Sequence, residues 1–177
     1  ANIGHCASAP ESAVHELTSR DIVLPRGRAG YRLKFSHSFA TEAGYDGGTL
    51  MIRVNAGRWQ RIAFEDFLFN PYNAILRSQA RNNNGPMRGV AGWTSTAGGW
   101  GTSIVSLDRL AGPGDEIRLR FLFGKDGCNG GQGWYVDDVE VYACADCNDD
   151  GLPDDLNVEF THISPALRRV GFGAPAS

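Results

Sequence analysis

YRLKFSHSF, at residues 31–39, alternates apolar and polar side chains without a break. Every second residue from Tyr31 onward is apolar except His37, and basic or hydroxyl side chains fill the positions between them. Successive side chains of a β-strand point to opposite faces of its sheet, so the stretch predicts a strand with one buried face. His37 lies on the apolar side, and we interpret it as a core histidine whose hydrogen bonds are satisfied.

The same period of two recurs along most of the chain. It is clearest at residues 50–54, 117–123 and 133–144, and shorter candidates lie at 16–24, 58–64, 87–93 and 102–107. Clusters of glycine, proline and asparagine separate these stretches, as expected of turns. Strands with one apolar face need a second sheet to cover it, which predicts an all-β fold, a two-sheet antiparallel β-sandwich of the jelly-roll type. We place this domain at residues 1–144 and a short calcium-binding connector loop with a C-terminal tail at 145–177.

Composition excludes several classes of function. The 177 residues carry a net charge of −3, which gives no overall attraction to nucleic acid or to an anionic membrane. No apolar run is long enough to predict a membrane span. His-Glu-x-x-His and Gly-x-Ser-x-Gly motifs are absent, so we expect no peptidase or hydrolase of those types. The chain begins with Ala1, and we interpret it as a mature or excised part of a longer, secreted protein.

Two neighbouring carboxylates interrupt the last predicted strand. In WYVDDVEVY, at residues 134–142, Asp137 shares a face with Tyr135 and Val141, and Asp138 lies on the opposite face. If the Tyr135 face is the core, Asp137 points inward. Whichever face of the strand is buried, one of the two aspartates faces a packed surface. A buried carboxylate must be paired or must coordinate a cation.

A second acidic group lies in TEAGYDGG, at residues 41–48. Its carboxylates, Glu42 and Asp46, precede a predicted strand, and they could converge with Asp137 on one Ca²⁺, which takes six to eight oxygen ligands. In the alternative interpretation, Glu42 and Asp46 are solvated turn residues, and Asp137 accepts hydrogen bonds from backbone amides or His37.

Two long stretches also resemble a known family. YRLKFSHSFATEAGYDGGTLMIRV (31–54) and EIRLRFLFGKDGCNGGQGWYVDDVEVYAC (116–144), with Trp93 and the Gly-Trp-Gly at 99–101 between them, resemble the MAM-like jelly-roll modules of secreted bacterial proteins. Such modules accompany metallopeptidases of the immune-inhibitor type. The resemblance implies a non-catalytic accessory domain with a structural calcium, for which the matching candidate ligands are Glu42, Asp46, Asp137 and Asp138.

Residues 146–157, DCNDDGLPDDLN, have the spacing of a calcium loop. Oxygen-bearing residues fall at loop positions 1, 3, 5, 7, 9 and 12, namely Asp146, Asn148, Asp150, Leu152 (through its carbonyl), Asp154 and Asn157. Position 12 is an amide where an EF-hand has glutamate, so the loop resembles the connector loops of thrombospondin type 3 repeats and dockerins instead. A flexible acidic linker remains the alternative, because the same residue types make ordinary turns.

The four cysteines are predicted to form two disulfides in an oxidising compartment. An extended strand between Cys128 and Cys144 would separate them by roughly 35 Å, whereas a disulfide allows only about 7 Å between Cα atoms. The expected pairs are therefore Cys6–Cys128 and Cys144–Cys147. A zinc site at Cys144 and Cys147 is the alternative, although a second pair of ligands is missing.

The sequence is compatible with three functions. The first is a non-catalytic, calcium-stabilised accessory module for adhesion, substrate targeting or domain spacing, with neighbouring domains or an extracellular protein as partners. The second is a carbohydrate-binding module whose exposed aromatic side chains would include Trp59, Trp100 and Tyr72. The third, a carboxylate-based hydrolase, is disfavoured because Asp137 and Asp138 point to opposite faces of one strand and cannot flank one bond.

Overall fold

The alternation at residues 31–39 produces the central strand of a two-sheet sandwich. The structure is a computed structural model that describes residues 2–3 (backbone only), 12–126 and 131–143. The strands are β1 (Asn2–Ile3), β2 (Ala13–Thr18), β3 (Ile22–Val23), β4 (Tyr31–Ala40), β5 (Gly47–Val54), β6 (Gln60–Arg61), β7 (Phe67–Phe69), β8 (Ala74–Ile75), β9 (Ala91–Gly92), β10 (Gly101–Ser106), β11 (Glu116–Lys125) and β12 (Gly133–Ala143). Two short 3-10 turns, Phe64–Asp66 and Gln79–Arg81, are the helical elements of the described residues, and no helix there is long and apolar enough to cross a membrane.

The strand order confirms an antiparallel sandwich with jelly-roll topology. The first sheet runs β1-β12-β4-β10-β7, and the second runs β2-β11-β5-β6 with β3 also paired to β11. Early and late strands therefore alternate across each sheet, as two interleaved Greek keys require. The strands β8 and β9 form a separate antiparallel pair. These elements lie within residues 1–143, the first of two units into which the chain divides.

The core lies between the two sheets and is rich in aromatic rings. Alternate residues of β4 are buried, as predicted, and they pack against alternate residues of β5 and β11. Trp93 and Trp134 lie side by side with ring centroids 5.5 Å apart, and Phe35 and Trp93 pack edge to face with ring centroids 5.7 Å apart. Gly48 lies directly beneath Trp134, where a Cβ atom would overlap the indole ring. The Trp134 ring thus occupies space that Gly48 leaves open.

A β-bulge in β12 overturns the predicted faces of that strand. Asp137 lies opposite Ser36 and Glu140 opposite Lys34, so β12 holds one residue more than β4 over this interval, and Asp138 adopts a left-handed φ of 50°. Before the bulge the buried side chains are Trp134 and Val136; after it Val141 and Ala143 pack on the core, so the parity switches. Asp137 and Asp138 are both exposed, and the expectation that one of them faces a packed surface was wrong.

Several predicted strands are shorter than their sequence pattern. The candidate at 16–24 divides into β2 and β3 at Ser19. There the Ser19 amide donates to the Leu119 carbonyl, but the Leu119 amide donates to the Ser19 hydroxyl instead of to a backbone carbonyl, which interrupts the strand pairing. The candidates at 58–64 and 87–93 each keep a strand of only two residues. The strands β1, β7 and β8 were not predicted, since two or three residues are too few to establish a period.

Candidate functional site

The turn that leads into β5 positions two of the predicted carboxylates. The amides of Tyr45 and Asp46 both donate to the Glu42 carbonyl at 3.1 Å, which makes one tight turn. Gly44 sits in this turn with a left-handed φ of 79°, a conformation that glycine adopts without strain. The hydroxyl of Thr94 accepts from the Gly44 amide at 2.8 Å and donates to the Asp46 carbonyl at 2.6 Å. The turn is therefore fixed at both ends by a buried threonine.

A third carboxylate, Asp126, reaches the same place from the end of β11. The antiparallel pairing of β11 with β5 sets Gly124 opposite Gly47, so the residues after β11 lie beside the turn before β5. The amide of Asp126 donates to Oδ1 of Asp46 at 3.0 Å. Carboxylate oxygens of Glu42, Asp46 and Asp126 all lie within 4.8 Å of one another. We call these three residues the carboxylate cluster.

The electrostatics of the cluster are unfavourable for the protein alone. Asp46 is only 2% exposed, and burial raises its pKa to about 6; the amide of Asp126 opposes this rise, while the charges of Asp126 and Glu42 add to it. The pKa of Glu42 is also raised by burial and by Asp126, and Arg77 acts in the opposite direction. Arg77 is itself held on the ring of Tyr45. The ion pairs between described residues join other carboxylates to their cations.

The donor set of the cluster suits a hard cation. All three side chains offer oxygen, which Ca²⁺ prefers, and ligand oxygens about 2.3–2.6 Å from such an ion lie up to about 5 Å from one another. The spacing of 4.8 Å agrees with this geometry. Glu42, Asp46 and Asp126 would hold the cation.

Sequence reasoning found part of this cluster. Glu42 and Asp46 lie together as expected, but Asp137 and Asp138 are not part of the cluster. Asp126 was missed, although it stands in the Gly-Lys-Asp-Gly that ends the predicted strand at 117–123. The pairing register of β11 with β5 is the information that would have placed it beside Asp46.

The other predicted ligands and all four cysteines lie outside the described residues, so their roles remain predictions. These are Asp146, Asn148, Asp150, Leu152, Asp154 and Asn157 of the loop, together with Cys6, Cys128, Cys144 and Cys147.

A cleft of about 500 Å³ opens at the edge of the first sheet. Ten residues line it: His37, Phe39, Phe69, Asn70, Asn73, Trp93, Thr96, Ala97, Gly101 and Thr102. The Asn73 amide group donates to the Thr94 carbonyl at 2.9 Å and accepts from the Thr94 amide at 3.0 Å. Thr94 therefore connects the wall of the cleft to the turn that carries the carboxylate cluster.

His37 is a satisfied core histidine, as predicted, and it forms the floor of this cleft. Nδ1 accepts from the Trp134 indole at 3.2 Å, so the neutral ring carries its proton on Nε2, which lies 3.0 Å from the Ser103 hydroxyl. Burial lowers the pKa of His37 to about 4, which keeps the ring neutral near pH 7. Ser103 donates its own proton to the Asn70 carbonyl at 2.7 Å. Because Nε2 is protonated, His37 cannot act as a base toward Ser103 in this arrangement.

The predicted aromatic platform residues have three different environments. Tyr72 is 4% exposed and its hydroxyl bonds the backbone of Leu50 and Ile62, so the prediction that it offers an exposed ring was wrong. Its ring is part of the hydrophobic core. Trp59 is half-buried, with the Arg120 guanidinium 4.0 Å from its ring centre. Trp100 is 60% exposed and directly precedes Gly101 in the cleft wall.

Comparisons with known proteins gave no assignment. No protein-family model matches this chain, and no curated protein matches it either. The resemblance to MAM-like modules therefore remains an expectation from the sequence motifs.

Proposed function

We propose that this chain is a non-catalytic, calcium-stabilised accessory module of a larger secreted bacterial protein. The observation that carries the proposal is the carboxylate cluster, in which Asp46 is nearly buried beside two other acids. Such an arrangement costs folding free energy unless a cation compensates the charges. A bound Ca²⁺ would join the turn before β5 to the end of β11 and so stabilise one end of the sandwich.

The accessory role rests on what the chain offers to partners. The sequence motifs resemble modules that accompany catalytic domains, and the predicted loop at 146–157 has the spacing of a calcium-stiffened connector. In this proposal the sandwich mediates adhesion, substrate targeting or spacing, and neighbouring domains of the parent protein are its first partners. The neutral, fully bonded His37 supports a structural role for the best-placed histidine, which agrees with a non-catalytic module.

Calcium binding is tested with single substitutions in the full chain. Calorimetric titration should give two sites in the unmodified protein and one in Asp46→Asn, which removes the buried carboxylate of the three in the cluster, or in Asp150→Asn, which removes a carboxylate of the loop. The melting temperature should rise with calcium by several degrees, and Asp46→Asn should lose the part of the rise that belongs to the cluster.

Asp137→Asn is the matched control for this experiment. It removes an exposed carboxylate that the sequence motifs also predicted as a ligand, and we expect both sites to survive. If Asp46→Asn keeps two sites and Asp137→Asn loses one, the cluster is not the calcium site.

A further inference from the structure

The cleft borders an open strand edge. β10 pairs with β4 along its whole length, but β7 pairs only with Ile104 and Val105, because β7 ends at Phe69. The chain then turns away at Asn70, which adopts a left-handed φ of 48°. Along residues 101–103, the edge of β10 that faces away from β4 therefore has no strand partner among the described residues. Its backbone groups are available to a ligand in the cleft.

The polar groups of the cleft are uncharged. Its lining contains the amides of Asn70 and Asn73, the hydroxyls of Thr96 and Thr102 and the neutral imidazole of His37, but no carboxylate, lysine or arginine. A charged ligand would lose its hydration on entering the cleft and would meet no opposite charge there, which is costly. Amides and hydroxyls both donate and accept, so they match a neutral ligand that carries hydroxyl groups.

Exposed aromatic rings supply the apolar part of the site. Phe69 lines the cleft and is 58% exposed, and Trp100, which is 60% exposed, directly precedes the cleft residue Gly101 and so lies beside the cleft. A group of exposed apolar side chains that is rimmed by polar groups often marks a binding surface. A pyranose ring has an apolar face that can pack on such a side chain, and its hydroxyl groups can form hydrogen bonds with the asparagine amides.

The site is longer than one small molecule. A second cavity of about 320 Å³ shares Asn73 with the cleft and is lined by Phe64 and Ile75, which are 60% and 70% exposed. Asn73 thus stands between two adjacent hollows, each with exposed apolar residues. A chain of linked units suits this shape better than a compact molecule.

We propose that the cleft binds a neutral polysaccharide, with Trp100 and Phe69 against the apolar sugar faces and Asn70, Asn73 and Thr102 bonding the hydroxyls. The inference goes beyond the calcium-stabilised module, because none of these five residues belongs to the carboxylate cluster.

Native gel electrophoresis in polymer-containing gels tests the binding directly. The probes are four neutral polymers, hydroxyethylcellulose, arabinoxylan, galactomannan and soluble starch, with alginate as an anionic polymer. We expect at least one neutral polymer to retard the protein. Trp100→Ala and Thr102→Arg should each lower the affinity for that polymer, measured from the retardation, by about tenfold or more. The first variant removes an aromatic anchor, and the second places a long charged side chain in the cleft.

Trp59→Ala is the matched control, because it removes an indole that lies against Arg120 on the other sheet. It should be retarded like the unmodified protein, and circular dichroism should show that all three variants are folded. The proposal is overturned if none of the neutral polymers retards the protein. It is also overturned if alginate alone does so, which would place binding at charged side chains, or if Trp59→Ala loses as much as Trp100→Ala. The same gels run with Asp46→Asn separate this result from the calcium proposal, since the cleft residues are unchanged and the variant should still be retarded, losing only any enhancement that a bound ion transmits through Thr94.

Discussion

The pH dependence of folding should reveal the carboxylate cluster without any knowledge of a biological partner. Burial raises the pKa of Asp46 from 3.8 to about 6, so the folded protein retains this proton to a higher pH than the unfolded chain does. The contribution of this proton to the free energy of unfolding is fully present below about pH 3.8 and is lost as the pH rises through about 6. At about 1.4 kcal/mol per pKa unit, the loss in calcium-free solution amounts to roughly 3 kcal/mol.

The assay is urea unfolding in calcium-free buffer between about pH 4 and about pH 7.5, followed by tryptophan fluorescence. Asp46→Asn has no titrating group at this position, so the difference between the two proteins isolates Asp46 from other acids, such as Asp115, whose pKa is lowered. The unmodified protein should lose stability relative to the variant as the pH rises, and saturating calcium should abolish that loss at neutral pH. Parallel pH profiles, within about 0.5 kcal/mol, would refute this account of the cluster.

Two further predictions concern the stability of the sandwich. Gly48→Ala would push a methyl group into the Trp134 ring and should cost about 2–4 kcal/mol in urea unfolding, whereas Gly112→Ala, whose new Cβ atom has no neighbour closer than 3.9 Å, should stay within about 0.5 kcal/mol of the unmodified protein. Asp66→Ala should cost about 1–3 kcal/mol, because this carboxylate, 5% exposed, accepts two bonds from Arg109; Asp66→Asn should cost less, since one oxygen remains, and equal losses would contradict this reasoning.

The sequence predicted the sandwich because the burial pattern of β4 is local. Each residue from Tyr31 onward follows the period of its own strand, and no distant contact is needed to see it. The same reasoning failed in β12, where one extra residue near Asp138 reverses the parity. Side-chain types alone do not reveal a bulge, since the residue in excess is defined only against the partner strand.

The candidate site was predictable where its residues are neighbours in the chain. Glu42 and Asp46 share one turn, and their spacing was visible in the sequence. Asp126 comes from a strand end about eighty residues away, and only the register between β11 and β5 brings it to the turn. Tyr72 was misjudged for a related reason, because whether an aromatic ring is buried depends on what packs over it.

Thr94 gives the domain a route for communication between its two proposed sites. Its hydroxyl holds the turn of the carboxylate cluster, while its backbone holds the Asn73 amide in the cleft wall. If an ion at the cluster reduces the motion of Thr94, a sugar chain meets a wall that is already ordered and loses less entropy on binding. Thermodynamic linkage then makes the effect reciprocal, so that a bound sugar chain raises the affinity of the cluster for its ion by the same factor. A module of this kind would hold its ligand most firmly where calcium is plentiful.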